Sequence, residues 1–360
     1  MLLVQLLLTI QVTFSLQLGD GSDKNRWIPV KIMENVEQAS GGASHTLIVL
    51  KDGSLWAVGS NKNGQLGDGS MKDLNTPKKI LENVMAASAG NDFSLALKTD
   101  GSLWIFGAMP TGIDKAKSKF ASDRIRYSTS TRPVLVDQDV VAMSAGAGYS
   151  LYIKHDHSLW GFGMNDNGNL GDGTKSPRVS PVRIRDHVKD VYAGQMSSLI
   201  LDDDGTLLIA GNVYPGTVKG KTGFFLSYEV VARDVLEMTE GLFISAEKVL
   251  WGFGFAAYGN LGLGKSPDTV PPTEVMSGVK AVASSQAHTL VLKESGELLT
   301  CGGGPNLFGA LGDGTNKPHN VPVPVMTNVR AIAVGSYHSL VLKDDNSLWA
   351  FGLNTYAGLQ

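Results

Sequence analysis

The chain ends inside a repeated motif whose remaining half stands near its beginning. The motif is present whole in residues 59–70 and 163–174, which share the pattern Asn-x-Asn-Gly-x-Leu-Gly-Asp-Gly. Residues 352–360 (GLNTYAGLQ) supply its first half, and residues 16–22 (LQLGDGS) supply its second half. A repeat divided between the two termini predicts a closed ring, in which the first strand of the chain completes the last repeat unit.

Seven copies of a longer pattern lie between the termini. Its consensus combines a valine, a glycine, a Leu-x-Leu-Lys run and an Asp-Gly-Ser-Leu-Trp run, and individual copies depart from it, above all the short copy 5. The copies begin at Val36, Val84, Val140, Val188, Val235, Val279 and Val329. Their spacing of roughly 50 residues falls in the range of solenoids and propellers. Short β-rich runs separated by Asp-Gly turns are typical of hairpins, and no helical periodicity accompanies them.

These signals predict an all-β fold, a seven-bladed β-propeller of four-stranded antiparallel blades. We expect the last blade to take three strands from 329–351 and its fourth strand from 27–33, so that strands from both termini close the ring and no sheet edge is left open. The large apolar residue after each Asp-Gly turn is expected to pack between blades; it is Trp56, Trp104, Trp160, Trp251 and Trp349, with Leu208 and Leu299 in the other copies.

Residues 1–15 (MLLVQLLLTIQVTFS) are uncharged and largely apolar. They are fewer than the ~20 residues of a membrane-spanning helix, and they end in a small-x-small pattern typical of signal-peptide cleavage. We expect a signal peptide over 1–15 and a single propeller over 16–360. The basic start of a signal peptide is missing, and the alternatives are an extra apolar strand or a misassigned start codon. Cleavage would make the protein secreted, periplasmic or attached to the cell surface, whereas an uncleaved chain would be cytoplasmic.

The low net charge and the single cysteine argue against nucleic acid as a partner and against a cysteine-based metal site. The net charge is −3, and charged residues make up 18% of the chain, so no strongly basic footprint for nucleic acid is present. Cys301 is the single cysteine, which excludes an intrachain disulfide and a metal site built on cysteines. We expect a monomer with no cofactor and no stable insertion into a membrane.

The repeat resembles that of the regulator of chromosome condensation repeat family. The resemblance rests on the runs Ala43–Leu47 and Ser336–Leu340, on Leu-Trp-x-x-Gly, and on the Leu-Gly-Asp-Gly motif, and it extends over about 16–360. It implies a seven-bladed propeller closed by both termini. The Lys-x-Asp-Gly-Ser-Leu-Trp motif is similar to that of bacterial members of the family.

Two sets of polar residues invite a metal-site interpretation. His45, His288 and His338 occupy one repeat position, but zinc ligands must lie about 2 Å from one ion, and equivalent positions of neighbouring blades are normally further apart. The family resemblance implies structural histidines instead. Each Leu-Gly-Asp-Gly motif carries one aspartate, whereas calcium requires six or more oxygen ligands, so a structural turn is favoured; these aspartates are Asp20, Asp68, Asp172 and Asp313.

Copies 2 and 4 replace the Leu-Gly-Asp-Gly motif with inserts, residues 108–132 and 212–227. Inserts in repeat proteins map to loops on one face, often the binding face. The first insert is basic, and both contain aromatic residues, which are typical of interaction hot spots. Our candidate partner-binding residues are therefore Lys115, Lys117, Lys119, Phe120, Arg124, Arg126, Tyr127, Tyr214, Phe224 and Phe225. A solvated loop without a partner is the alternative.

No arrangement of residues supports catalysis, because nucleophile-elbow and zinc-protease motifs are missing. The sequence predicts a non-catalytic interaction scaffold or regulator that binds a protein through loops on a propeller face, and the basic insert favours a partner with an acidic surface. Two alternatives stay open. The founder of the family is a guanine-nucleotide exchange factor for a small GTPase, and a secreted branch of similar propellers inhibits β-lactamases.

Overall fold

The computed structural model describes residues 17–114, 124–218, 221–265, 267–302 and 308–354. Across these ranges, strands β1–β28 form seven antiparallel sheets of four strands, and the first strand of each sheet contacts its neighbours around a central axis. This confirms the predicted seven-bladed propeller. The expected signal peptide, together with Lys115, Lys117, Lys119 and Phe120, lies outside the described residues. Within them, no helix is long and apolar enough to cross a membrane.

The strands follow one another from the axis outward in each blade. Blade 1 is β2 (Val36–Gly41), β3 (His45–Leu50), β4 (Leu55–Gly59) and β5 (Leu74–Leu81); blade 2 is β6 (Val84–Ala89), β7 (Phe93–Lys98), β8 (Leu103–Asp114) and β9 (Arg124–Asp137). Blade 3 is β10 (Val140–Ala145), β11 (Tyr149–Lys154), β12 (Leu159–Gly163) and β13 (Arg178–Arg185); blade 4 is β14 (Val188–Ala193), β15 (Ser197–Asp202), β16 (Leu207–Val218) and β17 (Lys221–Ala232). Blade 5 is β18 (Val235–Thr239), β19 (Leu242–Ser245), β20 (Val249–Phe255) and β21 (Thr269–Ser277); blade 6 is β22 (Val279–Ser284), β23 (His288–Lys293), β24 (Leu298–Gly302) and β25 (His319–Met326). Blade 7 is β26 (Val329–Val334), β27 (His338–Lys343), β28 (Leu348–Gly352) and, from the other end of the chain, β1 (Arg26–Met33).

The hydrophobic core lies between neighbouring blades. One cluster joins Leu47 and Leu55 of blade 1 to Val84, Ala96 and Phe106 of blade 2, and similar clusters follow around the ring. The repeated tryptophans pack against these clusters, as expected, but they are half-buried rather than enclosed. In four of the five, the indole N–H donates to a serine two residues earlier, so the polar edge of the ring is satisfied near the surface.

The divided repeat is rebuilt across the termini. The amide of Leu18 donates to Asn354 Oδ1 at 3.1 Å, as the amide of Leu66 donates to Asn61 Oδ1 at 3.0 Å inside blade 1. The Asn354 Nδ2 group also donates to the Asp20 carboxylate at 3.1 Å. The two ends of the chain therefore form one turn of the same kind as the intact repeats, and β1 pairs with β28.

The described parts of the inserts of copies 2 and 4 are strands, and the prediction that these parts form loops is wrong. They lengthen the third and fourth strands of their blades into extended hairpins, β8–β9 and β16–β17. Residues 125–131 alternate apolar or β-branched with polar side chains, and residues 224–231 are rich in aromatic and β-branched side chains; both patterns favour strands, and the sequence-based prediction overlooked them. Copy 5 also forms a complete blade, because a short turn at residues 246–248 suffices to join β19 to β20.

Candidate binding face

Strand direction places both extended hairpins on one end of the propeller. In every blade the connection from first to second strand and the connection from third to fourth strand lie at the same end, which we call the loop face. The turns from second to third strand and from one blade to the next lie at the other end, the turn face. We name the part of β8–β9 beyond Gly107 hairpin 2, and the part of β16–β17 beyond Gly211 hairpin 4.

Hairpin 2 reaches over blade 3. The hydroxyl of Tyr127 donates to the backbone carbonyl of Gly148 at 3.2 Å, and the side chain remains 40% exposed. Arg124 pairs with Asp114 in the hairpin backbone, and Arg126 is an exposed residue of the same strand. The candidates Arg126 and Tyr127 therefore belong to the loop-face surface.

The charge around hairpin 2 is mixed. Partial burial raises the pKa of Tyr127 to about 12, and the negative charges of Asp166 and Asp92 act in the same direction. Burial also raises the pKa of Asp166, although nearby Lys175 opposes that shift. Carboxylates thus lie beside the basic hairpin on the described surface.

Hairpin 4 leans on blade 3 from the other side. Its Phe224 is 50% exposed, and the Lys175 Nζ lies 3.5 Å from the centroid of the phenyl ring, a cation–π contact. Tyr214 is exposed and stacks on Phe255 of blade 5, with ring centroids 5.3 Å apart. Phe225 is half-buried against the cluster that contains Val213, so this candidate serves packing rather than the surface.

Met196 and Tyr258 are among the exposed apolar residues of the loop face that were missed in the sequence. Met196 lies in the connection between β14 and β15, and Tyr258 lies beyond β20. Each is a single large residue in a short connection, and no compositional signal marks it. Together with Tyr127, Tyr214 and Phe224, they spread exposed apolar groups across blades 2 to 5 of one face.

The three repeat histidines connect neighbouring blades. His45 Nε2 lies 2.8 Å from Ser94 Oγ in the next blade, and that hydroxyl donates to the Gln65 carbonyl at 2.7 Å. The histidine must therefore be the donor through Nε2. The same geometry recurs as His288–Ser339–Ala310 and, across the termini, as His338–Thr46–Gln17.

Burial controls the protonation of these histidines. It lowers the pKa of His45 and His338 to about 3 and that of His288 to about 4, and the charges of the other two histidines contribute at His338. The rings are thus neutral inter-blade donors at neutral pH. Among the described residues, no group of three or more His, Cys, Asp or Glu side chains is placed to hold a metal ion.

The aspartate carboxylates of the Leu-Gly-Asp-Gly motif accept hydrogen bonds from groups of the protein itself. Asp68 accepts from the Ser70 amide at 2.9 Å, from Asn61 Nδ2 at 3.0 Å and from Lys78 Nζ at 2.7 Å. Burial would raise the pKa of Asp68, but these hydrogen bonds hold it at about 2. Each equivalent aspartate has its own basic partner, in the pairs Asp20–Arg26, Asp172–Arg178 and Asp313–His319. The geometry matches a structural turn.

The fold and the loop face define a closed seven-bladed propeller with an apolar, aromatic surface on one end. The sequence profile of the regulator of chromosome condensation (RCC1) repeat matches residues 52–97, 156–201 and 295–342, and a second profile of this repeat matches 36–65 and 329–357. These matches show that the chain carries RCC1 repeats.

Relatives of known name agree with this assignment. The chain is 26% identical over 199 residues to the ultraviolet-B receptor UVR8 of Arabidopsis thaliana, covering 49% of this chain and 44% of the receptor. It is 27% identical over 187 residues to the human E3 ubiquitin-protein ligase HERC2, covering 46% of this chain and 4% of the ligase. The match thus spans less than half the length of either relative.

Solved structures share the fold at low sequence identity. Yeast RCC1 (Prp20), in a crystal structure with Kap60, superposes with a TM-score of 0.73 at 19% identity, covering 89% of this chain and 81% of that chain. Human WBSCR16 gives a TM-score of 0.72 at 20% identity, covering 91% and 89%. At such low sequence identity the structural similarity establishes the propeller fold but not the activity. The activity has to be argued from the surface residues of this chain.

Proposed function

We propose that the protein is a non-catalytic interaction scaffold or regulator that binds a protein partner through its loop face. The observation that carries the proposal is the pair of extended hairpins on that face, which present the exposed aromatic rings of Tyr127 and Phe224 on either side of blade 3. Exposed aromatic residues on a rigid scaffold are typical binding hot spots. The other repeats place a compact turn at this position, Leu-Gly-Asp-Gly in four copies and Leu-Gly-Leu-Gly in copy 5, so the hairpins are additions to the scaffold.

The double substitution Tyr127→Ser and Phe224→Ser tests this proposal. We expect it to weaken partner binding at least ~10-fold, because truncating hot-spot aromatics costs about 2 kcal/mol or more. The matched control is Met85→Ser with Leu236→Ser, which removes two equally exposed apolar side chains from the turn face. Partners are captured from the native host on immobilised protein, and their affinities for both variants are then measured by interferometry. Equal affinity of the hairpin variant and the wild type would refute the loop-face site.

The partner also decides between the two alternative functions. Capture of a small GTPase whose nucleotide release is accelerated would favour the exchange factor, and capture of a secreted hydrolase whose activity is blocked would favour the inhibitor. Loss of either effect in the hairpin variant would place that function on the loop face.

The basic composition of the insert at 108–132 leads us to propose an acidic patch on the partner. Changing Lys115, Lys117 and Lys119 to glutamate should slow association and flatten its dependence on salt, because charge complementarity acts mainly on the association rate. Association rates measured from low to high ionic strength provide the test, and identical rates for variant and wild type would exclude a charge contribution from these lysines.

A further inference from the structure

A cavity of about 290 Å³ lies between blades 4 and 5, where two departures from the repeat meet. Hairpin 4 replaces the compact turn of blade 4, and blade 5 joins its first two strands through Glu240 and Gly241 alone, one residue fewer than blade 1 uses at 42–44. The volume is close to the ~300 Å³ at which ligand pockets begin. The cavity lies where the lengthened hairpin of blade 4 adjoins the shortened connection of blade 5.

The cavity has an apolar wall and an aromatic mouth. Leu199, Ile209 and Leu261 line the wall. At the mouth, Phe255 stacks on Tyr214 and meets Tyr258 edge-on, with centroids 5.4 Å apart. Tyr214 and Tyr258 are each 43% exposed, so the mouth is open to solvent. Such rings attract a cation through their π-faces.

One buried acceptor in the cavity lacks a donor, and a neighbouring carboxylate lacks a basic partner. Asn260 is 6% exposed, and its Oδ1 has no hydrogen-bond partner in the described structure. The Glu240 carboxylate forms a hydrogen bond with Gln286, but among the described residues no lysine, arginine or histidine lies within 4 Å of it. A buried acceptor without a donor is unfavourable, so Asn260 Oδ1 favours a donor-bearing ligand, and the Glu240 carboxylate favours a cationic one.

Burial and the surrounding groups control the charge of Glu240. Burial raises its pKa to about 7, and the hydrogen bond with Gln286 opposes this shift. Tyr192 borders the same space, and burial raises its pKa, so it faces the carboxylate as a neutral phenol. A bound cation would hold Glu240 in its ionised form.

We infer that this cavity binds a primary alkylammonium group, such as the side chain of a lysine. The ammonium brings three N–H donors, which can serve the Glu240 carboxylate and Asn260 Oδ1, while the alkyl chain covers the apolar wall and the rings shield the charge. A neutral apolar ligand would leave Asn260 Oδ1 unpaired and Glu240 without a cation, and a quaternary ammonium has no N–H to offer. The inference goes beyond the proposed function and does not depend on it, because it rests on the cavity alone.

Ligand-observed NMR titrations at neutral pH test the ligand chemistry. The probes are Nα-acetyl-lysine methylamide, its norleucine analogue, its Nε-trimethyl analogue and n-butylamine. We expect the lysine amide to bind at least ~10-fold more tightly than the norleucine analogue, because hydrogen bonds to charged groups are stronger than those between neutral groups. We also expect it to bind more tightly than the trimethyl analogue. Tighter binding of the lysine amide than of butylamine identifies a peptide as the source of the ammonium, and the reverse identifies a free amine. Equal affinity for the lysine and norleucine probes would overturn the inference.

Variants locate the binding in this cavity. Glu240→Gln should weaken the lysine probe ~10-fold or more, and Tyr258→Ala, at the exposed mouth, should weaken it severalfold. The matched control Glu274→Gln changes an exposed glutamate on the outer strand of the same blade and should leave the affinity unchanged. Thermal unfolding confirms that each variant is folded. Wild-type affinity for the lysine probe in both cavity variants would contradict binding in this cavity. Loss of partner binding in the Tyr127/Phe224 variant is a separate result, because neither residue lines the cavity.

Discussion

Deletion of residues 17–33 should abolish cooperative folding of the propeller. The deletion exposes the edge of β28, which β1 covers, and it removes Leu18, a fully buried member of the cluster between blades 7 and 1. Truncation of one such leucine costs about 2–5 kcal/mol, against a total stability of about 5–15 kcal/mol for a typical domain. The truncated chain also loses the Asn354–Leu18 and Asn354–Asp20 hydrogen bonds.

Calorimetry and size-exclusion chromatography measure this effect. We expect aggregation, or a broad transition at much lower temperature, and partial recovery when a synthetic peptide of residues 17–33 is added, because the missing strand can pair with the open edge. A chain that starts at Gln17 is the control and should unfold as a single cooperative unit. An unchanged transition in the deleted chain would contradict closure by the termini.

Acidification from pH 6 to pH 5 should destabilise the protein steeply. His45, His288 and His338 have folded pKa values of about 3 to 4, below the ordinary value of 6.5. Below pH 6.5 the unfolded chain therefore binds protons that the folded chain does not, and stability present at neutral pH is lost as the pH falls towards 4. Each histidine contributes about 1.4 kcal/mol per pH unit in this window.

Buried carboxyl groups act in the opposite direction. The folded pKa of Glu240 is about 7, above its ordinary 4.5, and burial also raises the pKa of Glu237 and Asp190. Such groups take up protons in the folded state and add stability as the pH falls. The three histidines and Glu240 act in opposite directions. The free energy of unfolding should therefore change with pH by at most about two protons, or ~3 kcal/mol per pH unit.

The chain itself offers the test of the histidine effect. Copy 2 carries Phe93 where copy 7 carries His338, so His338→Phe introduces a residue that this repeat position accepts. Denaturant titrations at pH 7, 6 and 5 should show a slope of stability against pH that is lower by about one proton, ~1.4 kcal/mol per pH unit. Parallel slopes for His338→Phe and wild type would contradict the burial argument.

Repetition made the fold predictable from the sequence. The valine recurs in all seven copies, and the Asp-Gly and Leu-Trp pairs recur in several of them, so weak local signals reinforce one another; the halves at 16–22 and 352–360 revealed the closure. The inter-blade relays of the histidines could not be derived in this way, because their partners, such as Ser94 and Thr46, become neighbours only when the blades assemble.

The candidate site was predicted less well, since it lies where the repeat is interrupted. Composition identified both inserts as unusual but misread them as loops, and it could not separate the exposed Phe224 from the half-buried Phe225, because strand pairing decides which face each side chain takes. The cavity at Glu240 left no motif, since it arises from a shortened connection in one blade beside a lengthened hairpin in another.

Hydrogen–deuterium exchange of the protein with and without its captured partner tests the loop-face proposal most directly. The account predicts slower exchange in the strands of hairpins 2 and 4, at 124–130 and 211–227, with unchanged exchange in the turns of the opposite face, such as 51–54 and 99–102. Protection confined to the turn face, with both hairpins unaffected, would contradict it.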